Sequence, residues 1–351
     1  MSTITMPAPP TVRFKDAQID MAHGAGGTAS RRLVEGLIVP LLAGTGHRGI
    51  LGDAAFVAVD GQRIAVTTDS FVVRPLRFPG GSIGELAVNG TVNDLAVSGA
   101  RAVALLTTFV LEAGLPTSVL EAELRAMARA ARQAGVAIVG GDTKVVEHGK
   151  ADGLYITTTG IGNPLRAATL DPSLVRPGDH VILSGPIGNH GITILLARGD
   201  LDLEADLRSD TRSVLPLVEA LIEAAGPGIR WMRDPTRGGV ATALNELARD
   251  TGLCIEITEG AVPVEDSVRG ACELLGLDPL HIANEGQCLV VAAPDLAEAA
   301  VQALHGVPGG ERGCAIGVVH PAPAGVVMAT TRYGASRVID MLVGDPLPRI
   351  C

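Results

Sequence analysis

Residues 83–114 read IGELAVNGTVNDLAVSGARAVALLTTFVLEAG. The first half carries small residues and helix formers as far as Ser98-Gly99, and glycine is a natural helix stop. From Arg101 the composition changes to Val, Leu, Thr and Phe, which is that of a strand. The alternation continues. TSVLEAELRAMARAARQAG (117–135) reads as a helix closed by Gly135, and VAIVGGDTKVV (136–146) as a strand entering a glycine turn. Helix, strand, helix, strand predicts a sheet covered by helices, an α/β or α+β architecture.

Working outward, AAFVAVDGQRIAVTTDSFV (54–72) reads as a hairpin about Asp60-Gly61. HGAGGTASRRLVEGLIVPLLA (23–43) is a glycine-rich loop entering a helix with Leu33, Leu37 and Leu41 on one face. Residues 1–20 contain PAPP and read as a loose arm. Downstream, GLYITTTGIG (153–162) is a strand, and RPGD (176–179) is a turn after which the pattern restarts. The second half predicts a strand over 180–184, helices over 191–199 and 209–226, and a helix entered from MRDPTRGG. Strands over 254–264, 288–294, 314–320 and 324–331, a helix over 294–305 and a last helix over 333–344 complete it. The expected division is an arm 1–20, an N-terminal domain 21–165, a C-terminal domain 170–343 and a flexible tail 344–351 ending in Cys351.

The net charge of −10 argues against nucleic acid or an anionic membrane as the main partner, since both need clustered Lys and Arg. No run reaches the ~18 apolar residues of a membrane span, and the N-terminus lacks a signal-peptide pattern, so a cytoplasmic protein is expected. Aromatic residues are 2%, so Ala, Val, Leu and Ile must build the core. The five cysteines form no CxxC pair, which speaks against zinc. Four lie in apolar contexts and are expected in the core; Cys351 is expected to be exposed.

Four aspartates share one placement, at or near the end of an apolar element: Asp53 in LGDAA, Asp69 in VTTDS, Asp94 in VNDLA and Asp142 in GGDTK. Carboxylates so placed suit a hard cation such as Mg²⁺ that also meets a polyphosphate, and they equally suit helix caps and turns. Lys144 is two residues from Asp142 and faces the same side of a strand, where it reaches the same cleft or is a plain surface lysine. The HGAGG loop (His23, Gly24, Gly26, Gly27) offers backbone amides to phosphate, or is a plain turn. In DPTRGG, Arg237 suits phosphate while Asp234 suits a metal or a helix cap. Glu285, in IANEGQ, is either a solvent-facing turn residue or, if desolvated, a base.

Taken in order, HGAGG, GDAA, TTDSFVVRPLRFPGG, GTVNDLAVSGA, GDTKVV, MRDPTRGGVATALNE, DPLHIANEG and the closing PRIC resemble one superfamily. It contains aminoimidazole ribonucleotide synthetase, selenophosphate synthetase and thiamine monophosphate kinase. The PRIC ending is similar to one branch, the carbamoyl dehydratases of [NiFe] hydrogenase maturation. The resemblance covers residues 20–351, and departs from the branch at Asn189, His281 and Gln287. It implies two α/β domains and a homodimer whose N-terminal sheets form a barrel. It implies ATP with Mg²⁺ between the domains and at the dimer contact. It further implies that the carbamoyltransferase HypF loads Cys351, that ATP drives dehydration of the S-carboxamide to a thiocyanate, and that the HypC–HypD complex receives the cyanide. Asp53, Asp69, Asp94 and Asp142 become the Mg–ATP carboxylates; Lys144, Glu285 and Cys351 become catalytic; Asp234, Arg237 and HGAGG would help hold the nucleotide. The alternatives are a same-fold ligase or kinase acting on a free small substrate, and a non-catalytic carrier of the carbamoyl or cyano group.

Overall fold

A computed structural model describes residues 13–42, 52–165, 169–199, 205–344, 347 and 349–351. In chain order, α1 (Gly27–Leu33) runs through a π-helical turn (Val34–Ile38) into α2 (Val39–Leu42). Then come β1 (Ala55–Val59), β2 (Gln62–Phe71), the short β3 (Arg77–Phe78) and β4 (Gly81–Ser82), and α3 (Ile83–Val97). β5 (Ala100–Glu112), α4 (Thr117–Ala134), β6 (Ala137–Val146) and β7 (Leu154–Pro164) follow. The second half holds β8 (His180–Leu183), α5 (Asn189–Ala197), α6 (Leu215–Ala225), β9 (Ile229–Arg233) and α7 (Gly239–Thr251). It closes with β10 (Cys254–Thr258), α8 (Asp266–Leu275), β11 (Leu289–Ala292), α9 (Ala297–His305), β12 (Cys314–His320), β13 (Val327–Thr330) and β14 (Ser336–Ile339).

Two mixed sheets result. The first has the order β1-β2-β7-β5-β6 and is open, with β1 and β6 at its edges. The second has the order β14-β13-β10-β12-β8-β11-β9. The predicted hairpin turn is present: Asp60 and Gly61 both adopt positive φ (49° and 80°), as a tight two-residue hairpin requires. α3 is buried on nearly every side, packing on β2, β5 and β7 and touching α6 and β9 of the second half. Only glycine fits at position 90, where a Cβ would stand 2.8 Å from the Phe71 ring. The opposite face of the first sheet has no helix over it among the described residues. It carries the hydroxyl pairs Thr68–Thr159 (3.0 Å) and Ser70–Thr157 (2.9 Å) and the half-exposed Val103 and Leu106.

Four sequence expectations are corrected. Residues 333–344 are not a helix: Gly334 turns the chain at φ 80°, and β14 pairs antiparallel with β13. Val338 and Ile339 favour the strand, and an open sheet edge satisfies their backbone. The helix expected over 209–226 begins only at Leu215, with Pro216 in its first turn; residues 209–214 are spent instead on hydrogen bonds described below. Leu37 and Leu41 of the first helix are exposed rather than buried, because the π turn breaks the 3.6-residue stripe between them. Of the four cysteines expected inside, Cys254, Cys272 and Cys288 are buried, while Cys314 is half-exposed.

Candidate active site

Three carboxylates from distant parts of the chain converge. Asp53 lies just before β1, Asp94 in the last turn of α3 and Asp234 just after β9, and one ligand oxygen from each lies within 4.8 Å of the others. They meet because α3 carries Asp94 to the seam where the ends of β1 and β9 also arrive. Thr67 Oγ1 stands 2.8 Å from Asp94 Oδ2 and 2.7 Å from the Asp53 carbonyl oxygen. Asp69, near the end of β2, adds a fourth negative group whose field reaches the other three. Burial and mutual repulsion push the Asp94 and Asp234 carboxyls well above the usual range. Burial pushes Asp53 up to about 6, opposed by Arg233, whose Nε is 3.0 Å from Asp53 Oδ1. Carboxylates forced together in this way have the chemistry of a divalent-cation site.

Glu285 is 3% exposed, and its Oε1 has no hydrogen-bond partner among the described residues. Burial, then the charges of Asp234, Asp210 and Asp69, raises its proton affinity well above that of an ordinary glutamate, with Arg237 opposing. Its backbone is held from two sides. The Asp210 carboxylate accepts from Glu285 N (3.1 Å) and Gly286 N (3.2 Å), and Asn93 Nδ2 donates to the Glu285 carbonyl (3.2 Å). Asn93 also donates to Arg212 O and accepts from Val214 N, so α3 is stapled to the second half. The solvent-facing reading of Glu285 is therefore excluded.

A cavity of about 460 Å³ opens onto Asp53 and Asp234, and His23, Gly24, Gly26, Gly27 and Arg237 line it. The loop is placed as expected, but much of its donor capacity is already used. Thr28 N and Ala29 N donate to the carbonyls of Leu342 and Val343. Gly26 N donates to Ser30 Oγ. His23 is 5% exposed and folds the preceding segment: its Nδ1 accepts from Asp20 N, and its Nε2 is 3.0 Å from Asp16. Arg237 donates to Gly24 O (2.9 Å), tying the loop to α7's entrance.

Asp142 and Lys144 are not brought to this cluster within the chain. Both are exposed on the edge strand β6, 2.6 Å from one another. β5 and β7 lie between β6 and β2, three inter-strand steps that put Asp142 roughly 14 Å from Asp69.

The described tail residues are docked, and the Cys351 thiol is half-buried where an exposed one was expected. Val72 N donates to the Cys351 main-chain oxygen (3.1 Å) and Arg74 N to Arg349 O (3.3 Å), an antiparallel extension of β2. Leu347 and Ile350 are buried at 3% and 1%, and Cys351 is half-buried against the core. Arg349 pairs with Asp152, and Arg198 donates to Arg349 O. Val72 is three residues from Asp69, roughly 10 Å at strand rise, so the tail ends on the extension of the strand that carries Asp69. Sequence reasoning missed Arg233, Asp210, Asn93 and His190. Arg233, adjacent to Asp234, and Asn93, adjacent to Asp94, stood inside recognised motifs; Asp210 did not.

The chain matches family models for the AIR synthase related proteins, the N-terminal domain at residues 51–163 and the C-terminal domain at 176–329. Fold and site thus define an AIR-synthase-related protein. Among curated proteins it is 46% identical over 338 residues to the carbamoyl dehydratase HypE of Azotobacter vinelandii, covering 96% of this chain and 98% of that one. It is 44% identical to the HypE of Escherichia coli K12, covering 95% and 99%. Among solved structures, HypE in complex with ATP superposes with a TM-score of 0.79 at 43% identity, covering 94% of this chain and 99% of that one. A HypE–HypF complex gives 0.82 at 42%, covering 87% and 99%. Thiamine monophosphate kinase of Aquifex aeolicus, at 21% identity and 0.61, shares the fold. The chain belongs to the HypE family of carbamoyl dehydratases, which act in hydrogenase maturation.

Proposed function

We propose that the chain uses ATP to dehydrate an S-carboxamide carried on Cys351 to a thiocyanate, supplying cyanide for the iron of a [NiFe] hydrogenase. The observation that carries this is the docked tail: a half-buried thiol lies on the extension of β2, the strand that carries Asp69. On this reading HypF loads Cys351 and the HypC–HypD complex takes the product.

The chemistry balances with one ATP. The carboxamide oxygen attacks the γ-phosphorus, the bond to ADP breaks, and a C–O–P linkage forms. Two N–H protons then leave, the C–O bond breaks, and phosphate departs with the amide oxygen, leaving S–C≡N. Glu285 suits one proton transfer, because a desolvated carboxyl with raised proton affinity is a stronger base than an ordinary glutamate. Arg237, already against the loop at Gly24, suits the phosphates. Asp53, Asp94 and Asp234, with Asp69 beside them, would hold Mg²⁺. Bound there, the ion would neutralise polyphosphate charge. The sequence assigned Asp142 to this group, whereas the clustered geometry favours Asp234 in its stead.

Asp142 and Lys144 fit best as contributions to a second copy's cleft. β6 leaves Val139 (62% exposed) and Val145 (67%) in solvent, and the first sheet's uncovered face extends this surface. A homodimer formed there would cover that face and close the open sheet into a barrel. Intact-mass spectrometry tests the function. With carbamoyltransferase, carbamoyl phosphate and ATP, the chain should gain one carbamoyl group on Cys351 and then lose the mass of one water. Stable carbamoylation without that loss would favour the carrier reading. Activity on a free substrate that survives removal of Cys351 would favour the ligase or kinase.

A further inference from the structure

The docked tail forms an antiparallel pair with residues 72–74, and in such a pair alternate carbonyls point away from the partner strand. Arg349 O and the Cys351 oxygen face it and accept from Arg74 N and Val72 N. The Ile350 carbonyl therefore faces the other way, into the second half, and Ile350 is 1% exposed. A buried carbonyl without a donor is costly. The donor here is His190, in the first turn of α5, whose Nε2 lies 2.7 Å from Ile350 O.

His190 is 0% exposed, and both its ring nitrogens are engaged. A carbonyl only accepts, so Nε2 carries the hydrogen, and Nδ1 accepts from Ser209 Oγ at 2.8 Å. Phe78 meets the ring edge-on at 5.6 Å. Burial keeps the imidazole neutral, holding its pKa down at about 4. Ser209 is anchored in turn, with its N–H on Pro79 O and its hydroxyl accepting from Thr211 N. The next residue, Asp210, holds the Glu285 and Gly286 amides. One short segment therefore fixes both the tail receptor and the Glu285 loop.

We propose that His190 is a positioning residue for the dehydration. By reading the Ile350 carbonyl it sets the register of the tail, so that Cys351 and no neighbouring residue reaches the cleft. A slip of one residue would turn every tail side chain to the opposite face and present His190 with the wrong carbonyl. The Ser209–Asp210 link places that register relative to Glu285.

The proposal rests on the reading that Cys351 carries the reacting group, but its first test does not. In the full chain without nucleotide, alkylation of Cys351 by iodoacetamide is followed by peptide mass mapping. His190→Leu is expected to raise the rate about tenfold, the factor that ~1.4 kcal/mol of lost docking corresponds to. His190→Gln, which restores an amide N–H, should stay within about threefold of wild type. Ser209→Ala, which leaves the imidazole in place but unanchored, should give a smaller rise, and it serves if His190→Leu does not fold. Loading by the carbamoyltransferase should not fall, whereas dehydration of the loaded chain should slow in the same order as alkylation quickens. A folded His190→Leu or Ser209→Ala chain alkylated at the wild-type rate would overturn the proposal, and so would equal effects of Leu and Gln. If the alkylation order holds while wild type shows no water loss, the receptor stands and the dehydratase reading falls.

Discussion

Arg233 Nε stands 3.0 Å from Asp53 Oδ1, and its NH2 group reaches Glu246 Oε2 at 2.9 Å. Asp53 enters the first sheet and Arg233 ends β9 of the second, so this ion pair closes the seam in which the carboxylates meet. Both side chains are less than one-fifth exposed, and removing one partner of such a pair leaves an uncompensated charge. Arg233→Leu should lower the stability of the ligand-free chain by roughly 3 kcal/mol, measured by urea unfolding in chelator. Arg233→Lys should recover only part of this, because an ammonium lacks the planar fork that spans two carboxylates. A loss below about 0.5 kcal/mol for the Leu variant, the level of an exposed pair, would show that Arg233 is not a seam residue.

Asp94 tests the cluster through pH. Its folded-state pKa is raised, first by burial and then by Asp234, Asp53 and Asp69. A raised carboxyl contributes stability while protonated, below its unfolded value near 3.8, and that contribution is lost as pH rises through the folded value. Asn cannot ionise. Asp94→Asn should therefore match wild type in acid and become progressively more stable than it as pH rises from about 4 towards neutrality. Thermal melting in chelator at several pH values measures the difference, and a constant offset would refute the coupling. The same variant should lose most activity, and Mg²⁺ should stabilise it less than wild type.

The placement of Asp142 and Lys144 predicts complementation. If Lys144 acts in the partner's cleft, Lys144→Ala and Glu285→Ala chains, each inactive alone, should recover activity when unfolded together and refolded. In a mixed dimer one cleft would then have both wild-type residues and the other neither. Random pairing gives roughly a quarter of wild-type activity from a symmetric two-site assembly. No recovery, with mixed dimers demonstrated by native mass spectrometry, would mean that both residues serve one chain's cleft.

The sequence revealed elements whose signal is local and missed relations that are not. The α3–β5–α4–β6 succession was legible because Gly99 and Gly135 stop their helices and the strand composition is unmixed. Asp53, Asp69 and Asp94 were recognisable from their position at element ends, and the clustering of Asp234 with them was half seen. The separation of Asp142 was not, since an aspartate after an apolar run looks the same on a central strand as on an edge strand. Ser336–Ile339 looked helical because its strand character depends on the free edge of β13. The tail looked loose for the same kind of reason: its partners, Val72, His190 and Arg198, lie far away in the chain. Asp210 carries no local signature at all, because its role is to hold two amides 75 and 76 residues away.

Gly27 separates two readings of the HGAGG loop. Its φ is 70°, and a Cβ there would stand 2.4 Å from the carbonyl oxygen of Leu342, the residue whose oxygen accepts from Thr28 N. The glycine is thus required for the close approach of α1 to the segment after β14 that leads into the tail. Gly27→Ala should cost about 2 kcal/mol or more, the combined effect of a left-handed alanine and a displaced contact. Gly24 provides the contrast, since a Cβ there meets nothing within 4 Å although the residue lines the cleft. Gly24→Ala should leave the melting temperature unchanged and raise KM for ATP if nucleotide lies against the loop. A Gly27→Ala chain with normal stability but impaired ATP binding would return the loop to the phosphate-cradle reading. Lost stability with near-normal KM in the surviving folded fraction would mean that the motif's glycine pair serves packing, and that phosphate is held by Arg237 and the carboxylate seam.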